Sequence, residues 1–182
     1  MYSDEDLALG IQQGQTDALI TLVERHYQGL LGYLYRLTNG NRPLSEDMAQ
    51  ETFLRALRGI GGYAYPRAFK PWLYAIATNL TRNYFSRADT RYTSTVEDEV
   101  LGSIAAQRPS PEESLEDDDE VRELLEALRV LPDEQREIIL LRYYEELSLA
   151  DIAETLDIPL GTVKSRLRLA LNRMRVTMEQ ES

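Results

Sequence analysis

A chain of 182 residues, 43% of them hydrophobic, can bury one core or two small ones, which excludes a wholly disordered protein. It has no cysteine, so disulfides and thiolate metal sites are excluded and a reducing compartment fits. Its net charge of −11 sits awkwardly with any nucleic-acid partner, because phosphate contact drives such affinity.

The distribution of charge says more than its sum. Residues 1–93 carry ten basic against nine acidic residues, and residues 94–120 carry Arg108 against ten acids. Residues 121–182 hold nine basic and twelve acidic residues, yet Val163 to Val176 contains Lys164, Arg166, Arg168, Arg173 and Arg175 without one acid. The start, Met1 to Asp6, is acidic where a signal peptide is basic and then apolar, and no apolar run reaches bilayer length. The expectation is a soluble, cytoplasmic protein.

In chain order, Leu7, Ile11, Ala18, Leu19, Leu22, Val23, Leu30, Leu31, Leu34 and Leu37 recur at three- and four-residue steps, the period of a helix. Ser45 reads as an N-cap, with Glu46 and Asp47 in the first turn and Met48, Phe53, Leu54 and Leu57 behind it. Gly59 to Pro66 is a glycine-rich break, and Pro71 suits the first turn of a helix running to about Arg87. Ser94 to Asp119 lacks apolar periodicity and holds Pro109, Pro111 and the run Glu116 to Asp119, which reads as an acidic linker. Helices follow over 121–130, 134–146, 149–156 and 162–178, with Leu131-Pro132-Asp133 ending the first of them. The predicted fold is all-α: two small helical domains, 1–93 and 120–182, joined by an acidic flexible linker over 94–119.

The segment from Leu147 to Leu167 has the parts of a helix-turn-helix. Ser148 caps a short helix with Asp151 in its first turn, and Ile152, Ala153 and Leu156 form its inner face. Pro159 and Gly161 break the chain, and Thr162 can cap the next helix. Val163, Leu167, Ala170 and Leu171 line the inside of that helix, leaving Lys164, Ser165 and Arg168 outward near its N-terminal end, where a recognition helix meets base edges. Arg166, Arg173 and Arg175 suit phosphates. An ordinary helical hairpin with a solvated basic face is the plainer reading, and the cap, turn chemistry, small residue and basic run together favour DNA binding over it.

Leu147 to Leu171, above all Ile158-Pro159-Leu160-Gly161-Thr162-Val163-Lys164-Ser165-Arg166-Leu167, resembles the region-4 helix-turn-helix of extracytoplasmic-function sigma factors, and Leu131 to Tyr143 resembles the start of that domain. Ser45 to Ala56 resembles the family's region 2.2, which implies that Asp47, Gln50, Glu51, Phe53 and Leu54 bind the polymerase β′ clamp helices. Phe69 to Tyr84 is similar to regions 2.3 and 2.4, which implies −10 element contacts by Trp72, Asn79, Arg82 and Asn83, with Tyr63 in the loop closing the base pocket. The −35 contacts implied are Thr162, Lys164, Ser165, Arg166, Arg168 and Arg173. Arg168 stands where the family often has His or Phe, which bears on the preferred promoter sequence and not on the class.

The resemblance implies an alternative sigma factor whose partners are core RNA polymerase (β′ clamp helices and β flap), promoter DNA and an anti-sigma factor. No catalytic residue, cofactor, metal or small-molecule substrate is expected. Plainer readings stand beside these roles. Trp72 is read as core packing ahead of a melting wedge, Tyr63 either stacks on a base or anchors its own loop, and His26 lies on a partly exposed helix face. The alternative function is a helix-turn-helix regulator acting without polymerase, which leaves the Asp47 to Arg55 pattern unexplained. An enzyme is disfavoured, because no nucleophile–base, metal-ligand or phosphate-loop constellation is present.

Overall fold

A computed structural model describes residues 2–94 and 119–180. Among the described residues the regular structure is helical throughout, and the linker expected over 94–119 falls almost wholly outside them. The order is α1 (Asp4–Gln12), α2 (Thr16–Leu37), α3 (Arg42–Gly59), a 3-10 turn (Ile60–Gly62), α4 (Phe69–Ser94), α5 (Asp119–Arg129), α6 (Asp133–Ile139), a π-turn (Leu140–Tyr144), α7 (Leu149–Leu156) and α8 (Leu160–Gln180).

The first apolar run divides into two helices. Ser3 caps α1 through a reciprocal pair with Asp6: the Asp6 N–H donates to the Ser3 hydroxyl at 3.1 Å, and the Ser3 N–H to the Asp6 carboxylate at 3.2 Å. Gly14 then turns the chain at φ 86°, a conformation that costs glycine little. Periodicity cannot show this break, because the apolar step stays in phase across it. His26 is buried rather than partly exposed, and its Nε2 lies 2.7 Å from an Asp4 carboxylate oxygen beside the Phe69 ring.

Helix α3 begins earlier than Ser45. Asn41 is its cap, accepting from the Leu44 N–H at 3.1 Å, and Pro43 fills the first turn. Ser45 is fully buried, and its hydroxyl donates back to the Asn41 carbonyl at 2.6 Å. A serine three residues inside a helix offers the same local pattern as a cap, and only the preceding Asn distinguishes the two.

Helices α1 to α4 close round Leu22, Leu30, Tyr33, Leu34, Leu73 and Tyr74. The Tyr33 and Tyr74 rings meet edge-on at 5.1 Å, and the Tyr33 hydroxyl pairs with Thr78 at 2.8 Å. Burial raises the pKa of both phenols. The buried cluster continues through Leu128, Ile138, Leu141, Ile152 and Val163. Arg136 closes its α5–α6 corner: the buried guanidinium donates to the carbonyls of Leu128 and Leu131, each at 3.0 Å, and to Asp133 at 3.1 Å.

Candidate nucleic-acid interface

The C-terminal helix-turn-helix is built by two caps and a turn. Ser148 and Asp151 form a capping box that fixes the start of α7, and Asp157 ends that helix in the left-handed conformation at φ 52°. Ile152 and Leu156 of α7 and Val163 and Ala170 of α8 are buried, so α8 lies across α7 with one face inward. Opposite that face, Lys164, Ser165 and Arg168 are exposed near the N-terminal end of α8. Arg173 is exposed further along, and Arg166 is ion-paired with Glu134 at 2.7 Å. Two details differ from expectation. Helix α8 starts at Leu160, placing Thr162 inside its first turn rather than at the cap, because Pro159 already supplies the non-helical entry and accepts from the Thr162 N–H at 2.9 Å. Leu171 is 42% exposed, since Leu167 and Ala170 already fill that part of the inner face.

On α3 the expected docking face is partly polar and partly apolar. Asp47 and Gln50 are exposed, and Glu51 pairs with Arg55 at 2.7 Å. That hydrogen bond holds the Glu51 carboxyl below its ordinary pKa. Leu54 is 47% exposed and Leu57 40%, an apolar strip one turn long beside these groups. Phe53 instead turns inward and stacks on Tyr27 at 6.4 Å, so its ring is committed to holding α3 on α2. Leu57, exposed beside Leu54, was not among the docking residues that the resemblance implies.

The 3-10 turn before α4 is held at both ends. The Gln12 side-chain amide donates to the carbonyls of Ile60 at 2.7 Å and Tyr63 at 2.8 Å. Tyr63 is 4% exposed, its ring wedged edge-on against Trp72 at 5.2 Å and Phe69 at 5.9 Å, with its hydroxyl donating to the Arg67 carbonyl. Burial pushes that phenol up to about 12. Enclosure of the ring by Phe69 and Trp72 fits the loop-anchor reading of Tyr63. Trp72, half-buried in the same cluster, is a packing residue. The exposed aromatic of this loop is Tyr65, overlooked because the resemblance pointed to its neighbour two residues earlier. Along α4, Asn79 and Asn83 are exposed on one face. Arg82, between them, grips Glu137 of α6 through two bonds, Nε–Oε1 at 2.8 Å and Nη2–Oε2 at 2.5 Å.

Two segments of the chain match known families. Residues 22–91 match the family "Sigma-70 region 2", and residues 121–174 match "Sigma-70, region 4". The chain is 34% identical over 165 residues to the ECF RNA polymerase sigma factor SigW of Bacillus subtilis, covering 86% of this chain and 87% of that one. It belongs to the extracytoplasmic-function RNA polymerase sigma factors.

Two solved structures share the fold of this sigma factor. CnrH, in complex with the cytosolic domain of CnrY, superposes with a TM-score of 0.75 at 22% identity, covering 98% of this chain and 99% of that one. The sigma factor RpoE of Bartonella quintana, in complex with the anti-sigma factor NepR, gives 0.69 at 22% identity, covering 86% and 94%. A regulator that works without polymerase is not favoured, since the first half of this sigma factor matches region 2 rather than an effector or oligomerisation domain. Among the described residues no helix is long and apolar enough to cross a membrane.

Proposed function

We propose that this alternative sigma factor docks on core RNA polymerase through α3, captures the opened −10 strand with α4 and the loop before it, and reads the −35 duplex with α8. Asp47, Gln50, Glu51, Leu54 and Leu57 form the docking face for the β′ clamp helices. Asn79 and Asn83 offer donors and acceptors to unpaired bases, with Arg82 on the backbone. Lys164, Ser165 and Arg168 face base edges, Thr162 and Arg166 flank them, and Arg173 holds a phosphate. Residues 1–93 and 120–182 act as the two working modules. The factor performs no chemistry of its own, works in the cytoplasm with the polymerase, and is restrained by an anti-sigma protein.

The observation that carries this reading is the pairing, in one chain, of an outward polar and apolar face on α3 with an outward basic N-terminal end on α8. A DNA-binding module alone needs only the second. Run-off transcription with purified core polymerase and a library of −35/−10 sequences tests it. Promoter-dependent product is expected. Transcript levels equal to core polymerase alone across the library would defeat the assignment.

A further inference from the structure

The segment that leads from the 3-10 turn into α4 carries little that could fix its own shape. From Ile60 to Pro66 it has no charged side chain, and Gly61 and Gly62 stand side by side with no Cβ to limit the backbone. What it can offer a partner is backbone N–H and C=O groups and the Tyr65 ring, which is 49% exposed. Groups of that kind discriminate between bases only when they are held in place.

The holding comes from α1. Gln12 gives both hydrogens of its amide to this segment, one to the Ile60 carbonyl at 2.7 Å and one to the Tyr63 carbonyl at 2.8 Å. The Tyr65 hydroxyl donates to the Asp6 carboxylate at 3.4 Å, and the Phe69 N–H, at the start of α4, donates to the Glu5 carboxylate at 3.1 Å. Helix α4 has no acid in its own first turn, so Glu5 sets a negative charge at its positive end from another helix. Glu5 and Gln12 lie about two turns apart, on one face of α1. Behind that face α1 is fixed to α2. The Asp4 carboxylate accepts from Arg25 at 2.8 Å and lies 2.7 Å from His26 Nε2, and Leu7 and Ala8 are buried. One short helix thus touches the segment at its start, its middle and its end.

We infer that α1 is a brace for residues 60–69, and that Gln12 is a positioning residue for base discrimination at the −10 element. By fixing the Ile60 and Tyr63 carbonyls it fixes the one conformation in which this segment meets an unpaired base. The inference rests on the −10 role proposed above for the loop before α4. Gln12 acts through the loop and makes no contact with DNA itself. Its side chain is exposed and has no part in the buried cluster, so its effect on the loop is separable from folding.

Two substitutions isolate the donated hydrogens. Gln12→Glu keeps the size and shape of the side chain but has nothing to donate at neutral pH, whereas Gln12→Lys supplies donors again. The first readout is loop motion in the full chain. The protein has no native cysteine, and a Cβ at Gly61 meets nothing within 4 Å, so Gly61→Cys can carry a nitroxide label. Adding Gln12→Glu should sharpen the electron paramagnetic resonance lines as the label gains motion. Adding Gln12→Lys instead should keep the parent's line width, and circular dichroism checks that each variant retains its helix content.

The second readout uses unlabelled variants reconstituted with core polymerase. Each holoenzyme transcribes a template library randomised over the −10 element and barcoded downstream, and counting barcodes gives the base preference at every position. Gln12→Glu should lower preference about tenfold at one or two adjacent −10 positions, the effect of losing one or two hydrogen bonds. Other positions should keep theirs, and Gln12→Lys should recover the loss. A folding defect would lower total transcript and leave these ratios unchanged. Label motion unchanged by Gln12→Glu overturns the brace. Ratios that stay unchanged, fall evenly at all positions, or are not recovered by Gln12→Lys overturn the positioning role. A parent holoenzyme that depends on the −35 sequence yet shows no preference at any −10 position removes the −10 reading itself, and the positioning role with it.

Discussion

Replacing Tyr63 separates a packing role from a base-stacking one. Its ring is enclosed by Phe69 and Trp72 and only 4% exposed, so Tyr63→Ala removes a whole buried aromatic. Losses of this kind run to about 3–5 kcal/mol, including about 0.5–1.5 kcal/mol for each edge-on ring pair. Tyr63→Phe keeps the ring and loses one hydrogen bond to the Arg67 carbonyl, worth about 0.5–1.5 kcal/mol. Chemical denaturation of the full chain, followed by circular dichroism, measures both. A stacking residue would behave otherwise: Tyr63→Ala would leave stability nearly intact and weaken strand binding by about 1–3 kcal/mol. If Tyr63→Ala lowers the unfolding free energy by less than about 1 kcal/mol, the anchoring role is refuted.

Three further outcomes are expected. The Tyr63 phenol is raised to about 12, so the folded state keeps a proton that the unfolded state, titrating near 10, releases. Stability should therefore be complete below about pH 10 and fall as pH rises towards 12, with a slope reduced in Tyr63→Phe by up to about 1.4 kcal/mol per pH unit; identical slopes in urea melts would contradict this. Arg136→Met should destabilise the chain by about 2–4 kcal/mol by stranding the Leu128 and Leu131 carbonyls, and Arg136→Lys should recover little, as judged by thermal melts. Arg168→Ala should relax discrimination at one −35 position by about 1–3 kcal/mol, whereas Arg173→Ala should weaken all −35 duplexes alike and lower the salt slope by about one; binding titrations with reconstituted holoenzyme distinguish them.

The helix-turn-helix was legible almost residue by residue because its signals are local. A capping serine, an aspartate three residues on and a proline–glycine break act within one or two turns, and α7 begins and ends where they place it. Signals that repeat were misleading: in-phase leucines hid the Gly14 turn, and buried Ser45 imitated a cap. The candidate site was harder for another reason. Whether an aromatic faces a ligand or a neighbour depends on residues distant in sequence, so the reading left Tyr63 open between a base and its own loop, and could not see that Tyr27 stacks on Phe53. The pairing of Arg82 with Glu137 spans 55 residues, and no spacing rule reaches that far.

The clamp that Gln12 places on the carbonyls of Ile60 and Tyr63 has an evolutionary consequence. With the ends of the 3-10 turn fixed, Gly61 and Gly62 have room for side chains: a Cβ added at either meets nothing within 4 Å, and neither residue adopts a positive φ. Substitutions there alter the surface of the loop while leaving the core untouched. On the −10 role proposed for this loop, promoter preference can drift, or be selected from a library randomised at these two positions, without first acquiring compensating mutations elsewhere. The frame and the vocabulary of this reader are separable.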